Sequence, residues 1–167
     1  MNEILAIAEE FIEEEEMGSL NHSIVQAQIT TLLGSDKRFQ VMVELSLDTS
    51  QIDLTQFGIK AKEELKPDIC LYPYTVKGRR RDILRMSAIP LLVIEIVSPT
   101  QSDESLVNKF DAYFALGIQS CWLVIPTIKS IAVYSQPEIF TIFDLKDINI
   151  IDKVLDIKLP MQEIFDW

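Results

Sequence analysis

Histidine is nearly missing from this chain: His22 is the only one in 167 residues. A His-rich metal centre is therefore excluded, and any Ser/His/Asp triad would have to be built on that one residue. Cysteine is almost as scarce. Cys70 and Cys121 each stand alone in an apolar segment, the usual setting of a buried reduced thiol, and no C-x-x-C pair points to zinc or redox chemistry. No apolar run approaches the roughly 18 residues needed to cross a bilayer, so no membrane partner is expected. The first sixteen residues hold seven glutamates and no Lys or Arg, which excludes a secretory or transit peptide and leaves a cytoplasmic location as the expectation. A basic excess is missing too. The formal charge of −11 argues against passive coating of nucleic acid.

The charge is unevenly spread. Residues 17–167 carry only −4, and between Lys60 and Arg85 eight cations face four acids. A local basic surface on an acidic body is expected there. The length suits one domain, 1–167, and 48% hydrophobic with 25% charged residues is the composition of a globular protein.

Periodicity gives the elements. Residues 2–16 place Ile4, Leu5, Ala8, Phe11 and Ile12 at helical spacing opposite glutamates, as an acidic amphipathic helix that docks on the core or on a partner. Asn21 is the expected cap of a second helix, 22–33, with Ile24, Val25, Gln28, Ile29, Leu32 and Leu33 on its buried side. Strict alternation from Arg38 to Leu47 predicts one strand, with Phe39, Val41, Val43, Leu45 and Leu47 inward and Glu44 on the solvated side. Short apolar strands follow at 67–72, 91–97 and 120–125. A helix running from its cap Ser102 to Gly117 joins the last two into a crossover, hence a parallel pair. Hairpin-linked strands and a final turn complete one mixed α/β domain.

Glu95 breaks this pattern. It sits near the middle of "LLVIEIV", 91–97, where an ionised side chain costs several kcal/mol unless a cation or hydrogen bond meets it. Asp68 in "KPDICLY" shows the same oddity, and the two acids meet if their strands pair. Lys109 lies on the shoulder of the stripe Leu106, Phe110, Tyr113 and Phe114 and folds back toward the end of the Glu95 strand. Two readings stand side by side: a structural ion pair between Glu95 and Lys109, or two carboxylates that bind Mg²⁺ with a backbone carbonyl and waters. The second, with a lysine beside it, is chemistry for phosphodiester hydrolysis.

"KPDICLYP", "PLLVIEIVSPTQS" and "NKFDAYFALGIQSCWLVIP", in that order, resemble the Uma-type family of restriction endonucleases, within the PD-(D/E)XK superfamily. "NHSIV" at 21–25 resembles the His-containing start of that family's first core helix, and the resemblance spans roughly residues 16 to 135. It implies a restriction-endonuclease-like fold, a mixed sheet flanked by helices. It also implies a Mg²⁺- or Mn²⁺-dependent cut in DNA, with Asp68 and Glu95 as metal-binding acids and the carbonyl of Ile96 as a further ligand. The superfamily's usual lysine would stand where this chain has Val97; in this family it has moved to the following helix, which matches Lys109 as the third catalytic residue. Cutting both strands of a duplex calls for two sites, so a two-fold homodimer is expected.

Other residues carry two readings each. His22 is either part of the site or a capping or packing residue. Gln28 either hydrogen-bonds near the site or finds an internal partner, and Tyr113 either lines the site or is core. Lys77, Arg79, Arg80 and Arg81 either grip phosphates or form a wet loop. The competing function is a catalytically inactive interaction or nucleic-acid-binding protein that keeps the nuclease fold.

Overall fold

The computed structural model describes residues 18–60 and 63–167. The acidic helix expected over 2–16 lies outside them.

Leu20–Gly34 forms helix α1. Its cap is Ser19 rather than Asn21: the Ser19 hydroxyl accepts from the His22 N–H at 3.2 Å. Starting two residues earlier gives the helix slightly more than a further half-turn, and Val25, Ile29 and Leu33 form its fully buried stripe while Ile24 is exposed.

The alternating stretch after α1 is two strands, not one. Strand β1, Phe39–Val43, ends where Glu44 takes a left-handed backbone conformation (φ 53), and β2 is the separate pair Leu47–Asp48. A side chain at positive φ interrupts the pleat, so the inward set cannot run on through Leu47 as a single face. Val43 is accordingly 49% exposed.

A 3-10 turn at Leu54–Phe57 and strand β3 (Glu64–Leu65) lead to β4 (Ile69–Pro73) and β5 (Leu92–Ile96). Helix α2, Asp103–Leu116, is capped by the Ser102 side chain and ended by Gly117 at φ 103, a left-handed position that glycine adopts without strain. It feeds β6 (Ser120–Ile125), followed by β7 (Ser130–Gln136) and β8 (Ile139–Phe143). A final hairpin, β9 (Asn149–Asp152) and β10 (Ile157–Pro160), precedes the short helix α3 (Met161–Ile164).

Six strands form the main sheet in the order β1-β4-β5-β6-β7-β8. All pairs are antiparallel except β5–β6, the parallel pair made by the crossover. Period two divides β5 between two cores. Leu92, Ile94 and Ile96 face α1, together with Trp122, Val124 and the β9–β10 hairpin. Val93 and the side of Glu95 face α2, among Leu106, Phe110 and Tyr113.

The two cysteines share that second core. Cys70 pairs with Val93 and Val93 with Cys121, so two strand spacings, roughly 10 Å, separate them, beyond disulfide reach. Burial pushes the Cys70 thiol up to about 12 and Cys121 well upward, which keeps both unreactive. A second buried acid anchors the hairpin. Asp152, fully inaccessible, accepts from Ser120 (2.5 Å) and the Trp122 indole (2.8 Å) through Oδ2, and from the N–H groups of Val154 and Leu155 through Oδ1.

Candidate active site

Strand register brings the first two acids together. Ile69 stands opposite Ile94 in the antiparallel β4–β5 ladder, and one step further places Asp68 opposite Glu95. The carboxylate of Asp68 extends the ladder with its own atoms: Oδ2 accepts the Ile96 N–H at 2.7 Å. The main chain of Ile96 turns the same way. Val97 N–H bonds to Val124 on the β6 side, so alternation directs the N–H and carbonyl of Ile96 toward β4 and Asp68.

Glu95 is 2% exposed, and its Oε1 accepts the Tyr113 phenol at 2.6 Å. The chain thus answers the oddity in its sequence with a neutral donor. Among the described residues no ion pair joins Glu95 to Lys109. Burial raises the Glu95 carboxyl to about 7, Lys109 pulls it down, and the neighbouring charge of Asp68 pushes it up again. A hydrogen bond from one phenol does not replace the hydration a carboxylate loses on burial, so the acid holds its proton unusually well.

Lys109 lies one helical turn before Tyr113 on α2 and is half-buried. It acts on Glu95 through space. Tyr113, buried between Phe110 and the sheet, is both core and site: its ring packs and its hydroxyl orients the acid.

Helix α1 supplies the opposite wall. His22 Nε2 stands 3.1 Å from Asp68 Oδ1, and this hydrogen bond is the main reason its imidazole holds a proton more tightly than usual, with burial opposing it. One turn on, Gln26 Nε2 donates to the main-chain carbonyl of Asp68 at 2.9 Å. Gln28, the glutamine singled out from the sequence, makes no hydrogen bond to either acid among the described residues. Two residues rotate a helix by about 200°, so Gln26 and Gln28 cannot share a face. Gln26 was missed from the sequence; its i, i+4 relation to His22 is the signal that could have found it. Glu44 is exposed, as its alternation implied, yet its N–H also bonds to the Asp68 carbonyl (3.1 Å) and its charge helps raise the pKa of His22.

The basic run stands apart from this group. It lies in the connection from β4 to β5, which leaves β4 at Pro73, at the other end of the strand from Asp68; five residues of strand make that roughly 16 Å. Lys77 sits over the Tyr74 ring at 3.0 Å, and Arg79, Arg80 and Arg81 are exposed. A cavity of about 230 Å³ opens beside His22, walled by Asn21 and His22 on one side and Val97, Pro99, Pro126 and Thr127 on the other; neither acid lines it.

Among the described residues no three His, Cys, Asp or Glu side chains cluster as a ready metal cage. The strand register puts two carboxylates and the Ile96 carbonyl at the same end of the β4–β5 pair, all hard oxygens, with one of the carboxylates buried. That set fits a small divalent cation that keeps several of its waters.

No helix of the described residues is long and apolar enough to cross a membrane. A search of curated proteins finds no match. Among solved structures the chain is similar to one described as a putative nuclease belonging to DUF820 from Anabaena variabilis ATCC 29413. Identity is 20% and the TM-score 0.68, over 90% of this chain and 83% of that one. The likeness shows the fold, the mixed α/β architecture of a restriction-endonuclease-like protein. The family model described as "Putative restriction endonuclease" matches residues 3–162, so this chain belongs to the Uma2 family.

Proposed function

We propose that the protein is a Mg²⁺-dependent endonuclease that hydrolyses DNA phosphodiester bonds. One observation carries the reading: Asp68 and Glu95 stand opposite each other on paired strands, and Glu95 is buried with a single neutral donor among the described residues and a carboxyl raised to about 7. A buried carboxylate so poorly compensated favours a cation at its free oxygen. Membership of a family described as restriction endonucleases supports the same chemistry.

In this reading Asp68, Glu95 and the Ile96 carbonyl hold the ion. When bound, it would polarise a phosphoryl oxygen and ease the ionisation of its water. The protein's own groups do the rest. Tyr113 fixes the rotation of Glu95. His22 holds Asp68, so that the acid presents the same oxygens to each substrate. The Lys109 ammonium, free of an ion pair with Glu95, lies where it can meet negative charge building on the phosphate. The cavity beside His22 admits the DNA strand. The remote basic run contributes attraction along the duplex rather than contact at the cut. A second copy related by a two-fold axis supplies the cut in the other strand.

Val97, where the superfamily has its usual lysine, favours a second reading, in which the protein binds nucleic acid without cutting it. Nicking of supercoiled plasmid with Mg²⁺ or Mn²⁺ decides between them. Wild type is expected to nick, and Glu95→Ala and Lys109→Ala to fall at least about 100-fold, the scale of one lost transition-state contact. Equal cutting by all three proteins refutes the assignment, and binding without cutting by wild type establishes the second reading.

A further inference from the structure

We propose that Gln26 is a positioning residue for Asp68, a role that rests on the nuclease reading above. His22 and Gln26 are one turn apart on α1, and both reach the same aspartate, one at its carboxylate and the other at its main-chain carbonyl. Asp68 lies just outside the regular sheet. The β1–β4 ladder closes at Val43 opposite Ile69, and Glu44 then turns away at φ 53. Beyond the last ladder pair, the Asp68 peptide meets that neighbouring segment through a single backbone hydrogen bond, from the Glu44 N–H.

The carbonyl of Asp68 already has one donor, the Glu44 N–H at 3.1 Å. The need of a buried acceptor for a partner is therefore met without Gln26. The second donor adds a fixed direction. With the peptide plane held by Gln26 and Glu44, and the carboxylate held by His22 and the Ile96 N–H, Asp68 is tied at four points and keeps one orientation toward Glu95. Outer partners of this kind, when removed from metal sites, weaken metal affinity or activity about 10- to 100-fold.

The test compares Gln26→Met, similar in length but without an amide, with Gln28→Met on the same helix as a control. Three quantities are read: Mn²⁺ affinity by calorimetry, the NMR signals of the single imidazole, and kcat against KM on plasmid DNA. Gln26→Met is expected to bind Mn²⁺ 10- to 100-fold more weakly, to shift the His22 signals, and to lower kcat with little change in KM. Gln28→Met is expected to match wild type. Should the Met variant not fold, Gln26→Asn, one methylene too short to reach the carbonyl, is scored the same way. If wild type binds Mn²⁺ and cuts while the Gln26 variant does both equally well, or if Gln28→Met loses as much, the positioning role is refuted and the nuclease reading stands. If wild type binds no Mn²⁺ while Glu95→Ala behaves identically, the nuclease reading has failed and the role of Gln26 falls with it.

Discussion

Replacing Glu95 by Gln should stabilise the metal-free protein at alkaline pH while abolishing its response to divalent cations. The carboxyl of Glu95 is raised from the usual 4.5 to about 7 in the folded chain. The folded state therefore binds a proton that the unfolded state has already released. For a raised carboxyl, the associated stability is fully present below pH 4.5 and is lost as pH climbs through 7. Two and a half pH units at about 1.4 kcal/mol each make roughly 3 kcal/mol of destabilisation at pH 8. The amide of Gln carries no charge, and its oxygen still accepts the Tyr113 hydroxyl. It should recover most of that loss. For a chain of this length the gain corresponds to a rise in melting temperature of roughly 5–10 °C. The assay is thermal unfolding of both proteins in chelator at pH 5 and pH 8, then with added Mg²⁺. The two should nearly converge at pH 5 and separate at pH 8 with the Gln variant higher; Mg²⁺ should raise only wild type, since an ion that binds the native state alone stabilises it. A Gln variant less stable than wild type at pH 8 in chelator would mean that the protein already compensates the Glu95 charge, and the case for a cation there would collapse.

Two further outcomes follow from the same geometry. Asp152→Ala should lower stability by at least about 3 kcal/mol in a denaturant melt, because it strands the Ser120 hydroxyl, the Trp122 indole and two backbone N–H groups; a loss under 1 kcal/mol would mean that water replaces the carboxylate. Changing Arg79, Arg80 and Arg81 together to Ala should leave kcat on a short duplex unchanged while flattening the salt dependence of DNA binding, since the run departs from the strand end remote from Asp68. A fall in kcat would show that the loop reaches the reacting phosphate.

What could be read from the sequence follows from the range of the forces involved. The crossover 91–125 was legible because each part is decided locally: continuous apolar runs for β5 and β6, a serine cap, and a glycine stop at the one position that needs positive φ. The end of β1 was not, because alternation continues past Glu44 while the backbone turns, and hydrophobic pattern carries no record of φ. The cap of α1 was misplaced by two residues for a related reason: Ser19 and Asn21 are both good caps, and only the fold decides which hydroxyl or amide meets a free N–H.

The acids divide along the same line. That Glu95 needed a partner was evident from its apolar neighbours; that the partner is the Tyr113 hydroxyl rather than the Lys109 ammonium depends on which side chain of one helix reaches 2.6 Å from one oxygen. Asp152 gave less warning, since it ends a strand in a segment with other charges, and its donors Ser120 and Trp122 lie about thirty residues away in the chain. Comparing the two buried carboxylates separates structure from chemistry. Among the described residues Asp152 receives four hydrogen bonds and has every reason to stay as it is, whereas Glu95 receives one. Only the second keeps, among the described residues, an oxygen without a donor, and that difference is what the proposed cation site rests on.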